Sequence, residues 1–155
     1  MPTIGMNCRH RGIHGGGAEL ILRIIVAVAV VQVEGISIKF WDLGGSEKLH
    51  SIWRNYYADS DGIVFVVDGL DWERMEGVRD SFATVTSHDS LEGVPVLVVV
   101  NKLDLRGEEK EDVVARVKEV FNPIMPTIGA RESRVVGCSA LKGYACNAVA
   151  YAQGT

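Results

Sequence analysis

Val94-Pro95-Val96-Leu97-Val98-Val99-Val100-Asn101-Lys102-Leu103-Asp104 decides the architecture of this chain. A short apolar run rich in β-branched residues reads as a buried strand of a parallel sheet. The polar tetrapeptide that ends it falls where open α/β sheets hold ligands, outside the carboxyl ends of the strands. A carboxylate fixed there can accept two hydrogen bonds from the N1–H and exocyclic amine of guanine, which adenine cannot supply. Asn101 and the aliphatic stem of Lys102 would support the loop and cover the base. Read alone, the tetrapeptide is better explained as a plain turn, since Asn and Asp are common after strands.

Working outward, the same kind of segment recurs. Ile63-Val64-Phe65-Val66-Val67 and Arg134-Val135-Val136-Gly137-Cys138 are further short apolar runs. Ile36-Ser37-Ile38-Lys39-Phe40 alternates like a strand with one covered face, and Val33-Glu34-Gly35 before it suits a hairpin turn. Between the runs, Met75, Val78, Phe82 and Val85 recur at helical steps, as do Val113, Val117 and Val120, with charged residues between them. Strand, helix, strand in succession reads as α/β, with a parallel sheet wound by right-handed crossovers.

Composition narrows the function classes. The chain has 155 residues, 47% hydrophobic and 23% charged, which suits one globular domain with a core. A formal net charge of -4 without a basic cluster argues against nucleic acid as partner. Cys8, Cys138 and Cys146 are odd in number and unpatterned, which favours a reducing cytoplasmic compartment over a disulfide framework. Leu20 to Val33 is apolar but carries Arg23, and falls short of the roughly 20 residues a membrane span needs. Its Val and Ile content favours a strand, with Ala27 and Ala29 leaving a helix open. Pro2 stands where a myristoylation signal requires Gly, so no direct membrane anchor is expected.

The residues just past the strands form an ordered set: Trp41-Asp42-Leu43-Gly44-Gly45, then Asn101-Lys102-Leu103-Asp104, then Cys138-Ser139-Ala140-Leu141-Lys142. In that order they resemble the small GTPases, and the Trp-Asp-Leu-Gly-Gly form points to the ADP-ribosylation factor (Arf) family. Trp53-Arg54-Asn55-Tyr56-Tyr57 followed by Gly62 to Asp68 looks like that family's switch II helix and following strand, and Met1-Pro2-Thr3-Ile4-Gly5-Met6-Asn7 is similar to its switch I. Within the family the chain looks closest to Arf-related and Arf-like proteins.

The resemblance implies a P-loop NTPase-like small GTPase fold, a mostly parallel sheet with helices on both faces. It implies GTP or GDP and Mg²⁺ as ligands, Thr3 and Asp42 toward the metal, and Gly45, Asn101, Lys102, Asp104, Ser139 and Ala140 toward the nucleotide. Asp42 could hold a water of the Mg²⁺ shell, and Gly45 lets a backbone N–H approach a terminal phosphate. Their alternative is a strand ending in an Asx turn, and Lys142 is either near the base or simply solvated. Met6, Trp41 and Tyr56 take the effector-contact positions, so effector and regulatory proteins are the implied partners. The implied role is a molecular switch in vesicle traffic, peripheral to Golgi membranes.

Departures from the family pattern are equally legible. No G-x-x-x-x-G-K-[ST] loop precedes switch I, and Gly12 to Gly17 is followed by Ala18-Glu19, which offers phosphate a carboxylate. The first strand and phosphate loop are therefore expected to be missing, and with them much of the triphosphate affinity. Residues 1–7 read as a partial switch I, 8–29 as an atypical insertion, and 30–155 as an Arf-like core with a truncated last helix. Cys8, His10 and His14 read as an unspecific loop rather than metal ligands. Ser46 stands where the family usually has the Gln that orients the attacking water, so GTP hydrolysis is expected to be slow or absent. The alternative to a regulatory GTPase is a non-catalytic remnant that at most binds partners.

Overall fold

Alternation and short β-branched runs build a six-stranded sheet in the computed structural model, which describes residues 3–8, 26–33, 35–105, 110–127 and 132–144. The strands are β1 (Thr3–Cys8), β2 (Val26–Val33), β3 (Ile36–Leu43), β4 (Gly62–Asp68), β5 (Val96–Asn101) and β6 (Ser133–Gly137). Helix α1 (His50–Tyr57) follows β3, α2 (Met75–Thr86) joins β4 to β5, and α3 (Lys110–Phe121) lies between β5 and β6. Across the sheet the order is β2-β3-β1-β4-β5-β6.

The expected parallel winding is found where the apolar runs predict it. Strand β4 pairs parallel with β5, and β5 with β6, in registers running from Ile63↔Val96 to Asp68↔Asn101 and from Val96↔Ser133 to Val100↔Gly137. The expectation of a mostly parallel sheet holds only for these three strands. Strands β2 and β3 form an antiparallel hairpin, with Gly35 at φ 82° in the turn, a left-handed conformation that costs glycine little.

Strand β1 runs antiparallel to both β3 and β4. The place between β3 and β4 is thus taken by the segment read as partial switch I. Thr3 pairs with Val66 and Asn7 with Gly62, so β1 begins at the site end of the sheet and leaves at the opposite end. Strand pairing also reaches into both ends of the segment read as an insertion. Cys8 closes β1, and Val26–Ala29 extend β2, because an uncharged stretch rich in β-branched Val favours extended backbone and pairs with β3 along its whole length, from Val26↔Leu43 to Val33↔Ile36. Residues 9–25, including the Gly12 to Gly17 spacing, His10 and His14, lie outside the described residues.

Strand alternation sends two sets of side chains to two faces. On one, Ile63, Phe65, Val67, Val96, Val98 and Val100 meet residues of α1, α2 and α3, including Trp53, Val78, Val85 and Val117. Phe65, Phe82 and Phe121 stack edge to face there, with centroids 5.2 Å apart for Phe65–Phe82 and 4.8 Å for Phe82–Phe121. On the other face Val64, Leu97, Val99 and Cys138 form a smaller cluster with Phe40, Val66 and Val136 against it. Among the described residues, all three α-helices pack on the first face, so the expected cover of both faces is seen on one. None of these helices is long and apolar enough to cross a membrane.

Candidate functional site

Parallel strands end together, so β4, β5 and β6 deliver Asp68, Asn101 and the Cys138-Ser139-Ala140 loop to one edge. Asn101 is the hub. Its Oδ1 accepts the N–H of Lys102 at 2.8 Å, the N–H of Ala140 at 3.0 Å and the thiol of Cys138 at 3.4 Å. The β5 and β6 ends are also joined by backbone bonds from Cys138 N–H to the Val100 carbonyl, 2.8 Å, and from Leu103 N–H to the Cys138 carbonyl, 3.2 Å.

Asp104 follows in a single 3-10 turn, Leu103–Leu105, anchored by Leu103, which is 2% exposed. The Ser139 hydroxyl, itself buried, donates to Asp104 Oδ1 at 2.5 Å and accepts the Lys142 N–H at 3.1 Å. This bond orients the carboxylate and occupies one of its oxygens. Lys142 is exposed and contributes its backbone to the loop. Glycine makes the packing beneath possible: a Cβ on Gly137 would lie 2.5 Å from Leu103 Cδ1 and 2.7 Å from Val114 Cγ2.

Asp68 and Lys102 complete this end. Lys102 Nζ donates to Asp68 Oδ2 at 2.6 Å, and Leu70 N–H donates to Asp68 Oδ1 at 3.0 Å. Burial pushes the Asp68 carboxyl up, but these hydrogen bonds and the Lys102 charge outweigh it and hold the group below its ordinary value. Asp68 was not among the site residues expected from sequence, although it closes an apolar run just as Asn101 does. That position was the available signal.

Asp42 and Gly45 lie across the sheet edge. Three strand spacings separate β3 from β5, roughly 14 Å at about 4.8 Å each, which leaves room for a sugar and phosphates between Asp42 and Asn101. In register, Asp42 faces Gly5 on β1 and Ala27 on β2, neither of which has a side chain long enough to cover it. Asp42 keeps solvent contact, and the desolvation it does suffer raises its carboxyl. The Gly44 carbonyl accepts the indole N–H of buried Trp53 at 3.1 Å, which pins the Gly44-Gly45 turn to α1. Ser46 opens the 3-10 turn Glu47–Leu49, its carbonyl accepting the Leu49 N–H at 2.8 Å.

The arrangement fits a guanine better than it fits a triphosphate. The groups expected toward the base are assembled and hydrogen-bonded, whereas among the described residues those expected toward the phosphates are Asp42 and the Gly44-Gly45 turn. No cluster of three His, Cys, Asp or Glu side chains able to hold a metal occurs among the described residues. Mg²⁺ keeps several waters and takes few protein oxygens, so the exposed carboxylate of Asp42 at the end of β3 would be enough to meet it through a water. The Thr3 backbone lies at the same end, three residues before Met6, whose register partners are Trp41 and Ile63. Trp41 and Tyr56 stand side by side, with ring centroids 5.2 Å apart and Lys39 Nζ 4.7 Å over the Trp41 ring.

Comparison with known proteins places this geometry in a family. The model of the ADP-ribosylation factor family matches residues 22–150. ADP-ribosylation factor-like protein 3 of Saccharomyces cerevisiae is 44% identical over 117 residues, covering 75% of this chain and 58% of that protein. ADP-ribosylation factor-related protein 1 of Rattus norvegicus is 38% identical over 116 residues, covering 75% and 56%. The chain thus spans little more than half the length of these relatives. In fold it is similar to the Arl6 BBS3 small GTPase from Trypanosoma brucei, solved with the nucleotide analogue GppNp bound: TM-score 0.65, 24% identity, 88% of this chain and 77% of that one. With the strand-end loops assembled as described and the family model spanning most of its length, the chain belongs to the ADP-ribosylation factor family of small GTPases.

Proposed function

We propose that the chain is a guanine-nucleotide-binding regulatory GTPase, a molecular switch in Golgi and vesicle traffic that works through effector and regulatory proteins. The observation that carries the nucleotide reading is the joining of Asn101 to Ala140 and of Asp104 to Ser139, residues 39 and 35 apart in sequence, into one hydrogen-bonded edge. Such a loop presents a fixed carboxylate to the N1–H and exocyclic amine of guanine and the Ala140 region to its carbonyl. Traffic and Golgi association rest on family membership.

Bound Mg²⁺ would supply charge neutralisation for the phosphates, with Asp42 and Thr3 as the residues to hold its waters or the ion. Trp41 and Tyr56, half-buried beside one another, are the surface for effectors. Ser46 is too short to orient an attacking water as a Gln does, so intrinsic hydrolysis is slow even where nucleotide is held.

One observation favours a second reading, a non-catalytic interaction module. Strand β1, which holds the centre of the sheet, runs from the end that carries Asp42 and Asn101 to the opposite one, so its last residue, Cys8, lies away from the phosphate end. Titration with a fluorescent guanine nucleotide and Mg²⁺, against the adenine analogue, separates the two. Micromolar or tighter guanine-selective binding supports the switch. Millimolar binding, only about -4 kcal/mol, supports the module.

A further inference from the structure

We propose that Asp68 is a positioning residue of the guanine loop, clamping Lys102 and so holding the loop in its base-reading shape. This inference rests on the guanine reading above. Asp68 and Asn101 are register partners at the ends of β4 and β5, so a carboxylate on one strand stands beside the loop that leaves the other. Both Asp68 oxygens are engaged, one by Leu70 N–H and one by Lys102 Nζ. The carboxylate is 15% exposed while the Lys102 side chain is 50% exposed, so the acid is the fixed partner and the lysine the one it holds.

Lys102 needs holding. It has φ 67° and is the one non-glycine residue with positive φ among those described. A residue with a Cβ occupies that region only where its surroundings over-determine it. Two contacts act on the backbone: the Lys102 N–H to Asn101 Oδ1, and the Gly69 N–H to the Asn101 carbonyl at 3.0 Å. The second requires close approach, since a Cβ on Gly69 would itself lie 3.0 Å from that carbonyl oxygen. The Asp68–Lys102 pair is the contact that acts on the side chain, bridging 34 residues of sequence.

The test compares the full chain with Asp68→Asn, which keeps an acceptor for Leu70 N–H but loses the charge, and Asp68→Glu, which keeps the charge. Ligand-free, Lys102 Nζ–H should give an NMR correlation protected from solvent exchange, absent in Asp68→Asn. Binding of fluorescent GDP at low salt should weaken roughly three- to tenfold in Asp68→Asn. It should recover in Asp68→Glu, and the deficit should shrink at 1 M salt, where the screening length is about 3 Å. Equal binding by wild type and Asp68→Asn overturns the inference while leaving the guanine reading intact. Weakened binding with the Nζ signal retained, or with no recovery in Asp68→Glu, also overturns it by reducing Asp68 to a structural role. A wild type that shows no guanine-selective binding refutes the guanine reading and this inference with it.

Discussion

Gly137→Ala probes whether the base-reading loop rests on the packing described. The new Cβ would stand 2.5 Å from Leu103 Cδ1 and 2.7 Å from Val114 Cγ2, closer than carbon atoms approach. Leu103 is 2% exposed between Lys102 and Asp104, and Val114 is a partly buried β-branched residue of α3 with few rotamers, so both must shift to admit the new methyl. Overpacking of this kind costs about 1–3 kcal/mol. Replacing a strand glycine returns about 0.5–1 kcal/mol by reducing the entropy lost on folding. The middle of the two ranges leaves a net loss of about 1 kcal/mol, read by urea unfolding as a lower midpoint at unchanged slope. Val114→Ala removes one of the two clashing methyls, so the double variant should be less destabilised than the two single changes added together. Guanine affinity should fall in parallel with the displacement of Leu103. A Gly137→Ala midpoint within about 0.5 kcal/mol of wild type, the scatter of neutral surface changes, or strict additivity in the double variant, would refute the packing argument.

Other outcomes follow from single contacts. Asp104→Asn replaces an acceptor with a donor, so competition binding should show guanine nucleotide losing and xanthine nucleotide, with a carbonyl in place of the exocyclic amine, gaining affinity. Because the folded-state value of Asp68 is depressed, the unfolded chain binds more protons between that value and the ordinary carboxylate pKa of about 3.9. Its stabilisation is therefore present above that ordinary value and lost as pH falls through the folded one, and acid unfolding of Asp68→Asn should lack this component. His50 Nε2 is buried with no hydrogen-bond partner among the described residues, while its ring lies 4.0 Å from that of Trp53. His50→Phe keeps the ring contact and removes the unpaired nitrogen, so thermal unfolding should shift up by about 2–4 °C for a gain near 1 kcal/mol.

Much of the candidate site's layout was legible because its residues follow apolar runs. Asn101 and Asp104 after β5, and Ser139 and Ala140 after β6, were expected from sequence and meet through hydrogen bonds of 3.0 and 2.5 Å. The helical spacing of Met75, Val78, Phe82 and Val85 likewise predicts α2 and its buried face. Asp68 was passed over because an acid closing a strand is unremarkable until its partner is known. That partner, Lys102, is 34 residues away, and nothing local to either residue marks the pair.

What the amino-acid order determined by itself is therefore the set of short-range properties. Period-two alternation, helical spacing and strand-end polar motifs depend on neighbours within a few residues, and they were enough to identify the fold and family. Only tertiary structure decided the direction of β1, since a six-residue strand can pair either way and its sequence carries no arrow. The same holds for the Asp68–Lys102 clamp and for the contact of Gly137 with Leu103 and Val114. Each depends on which strands the sheet sets side by side, and that choice is made by burial and pairing over the whole chain rather than along any stretch of it.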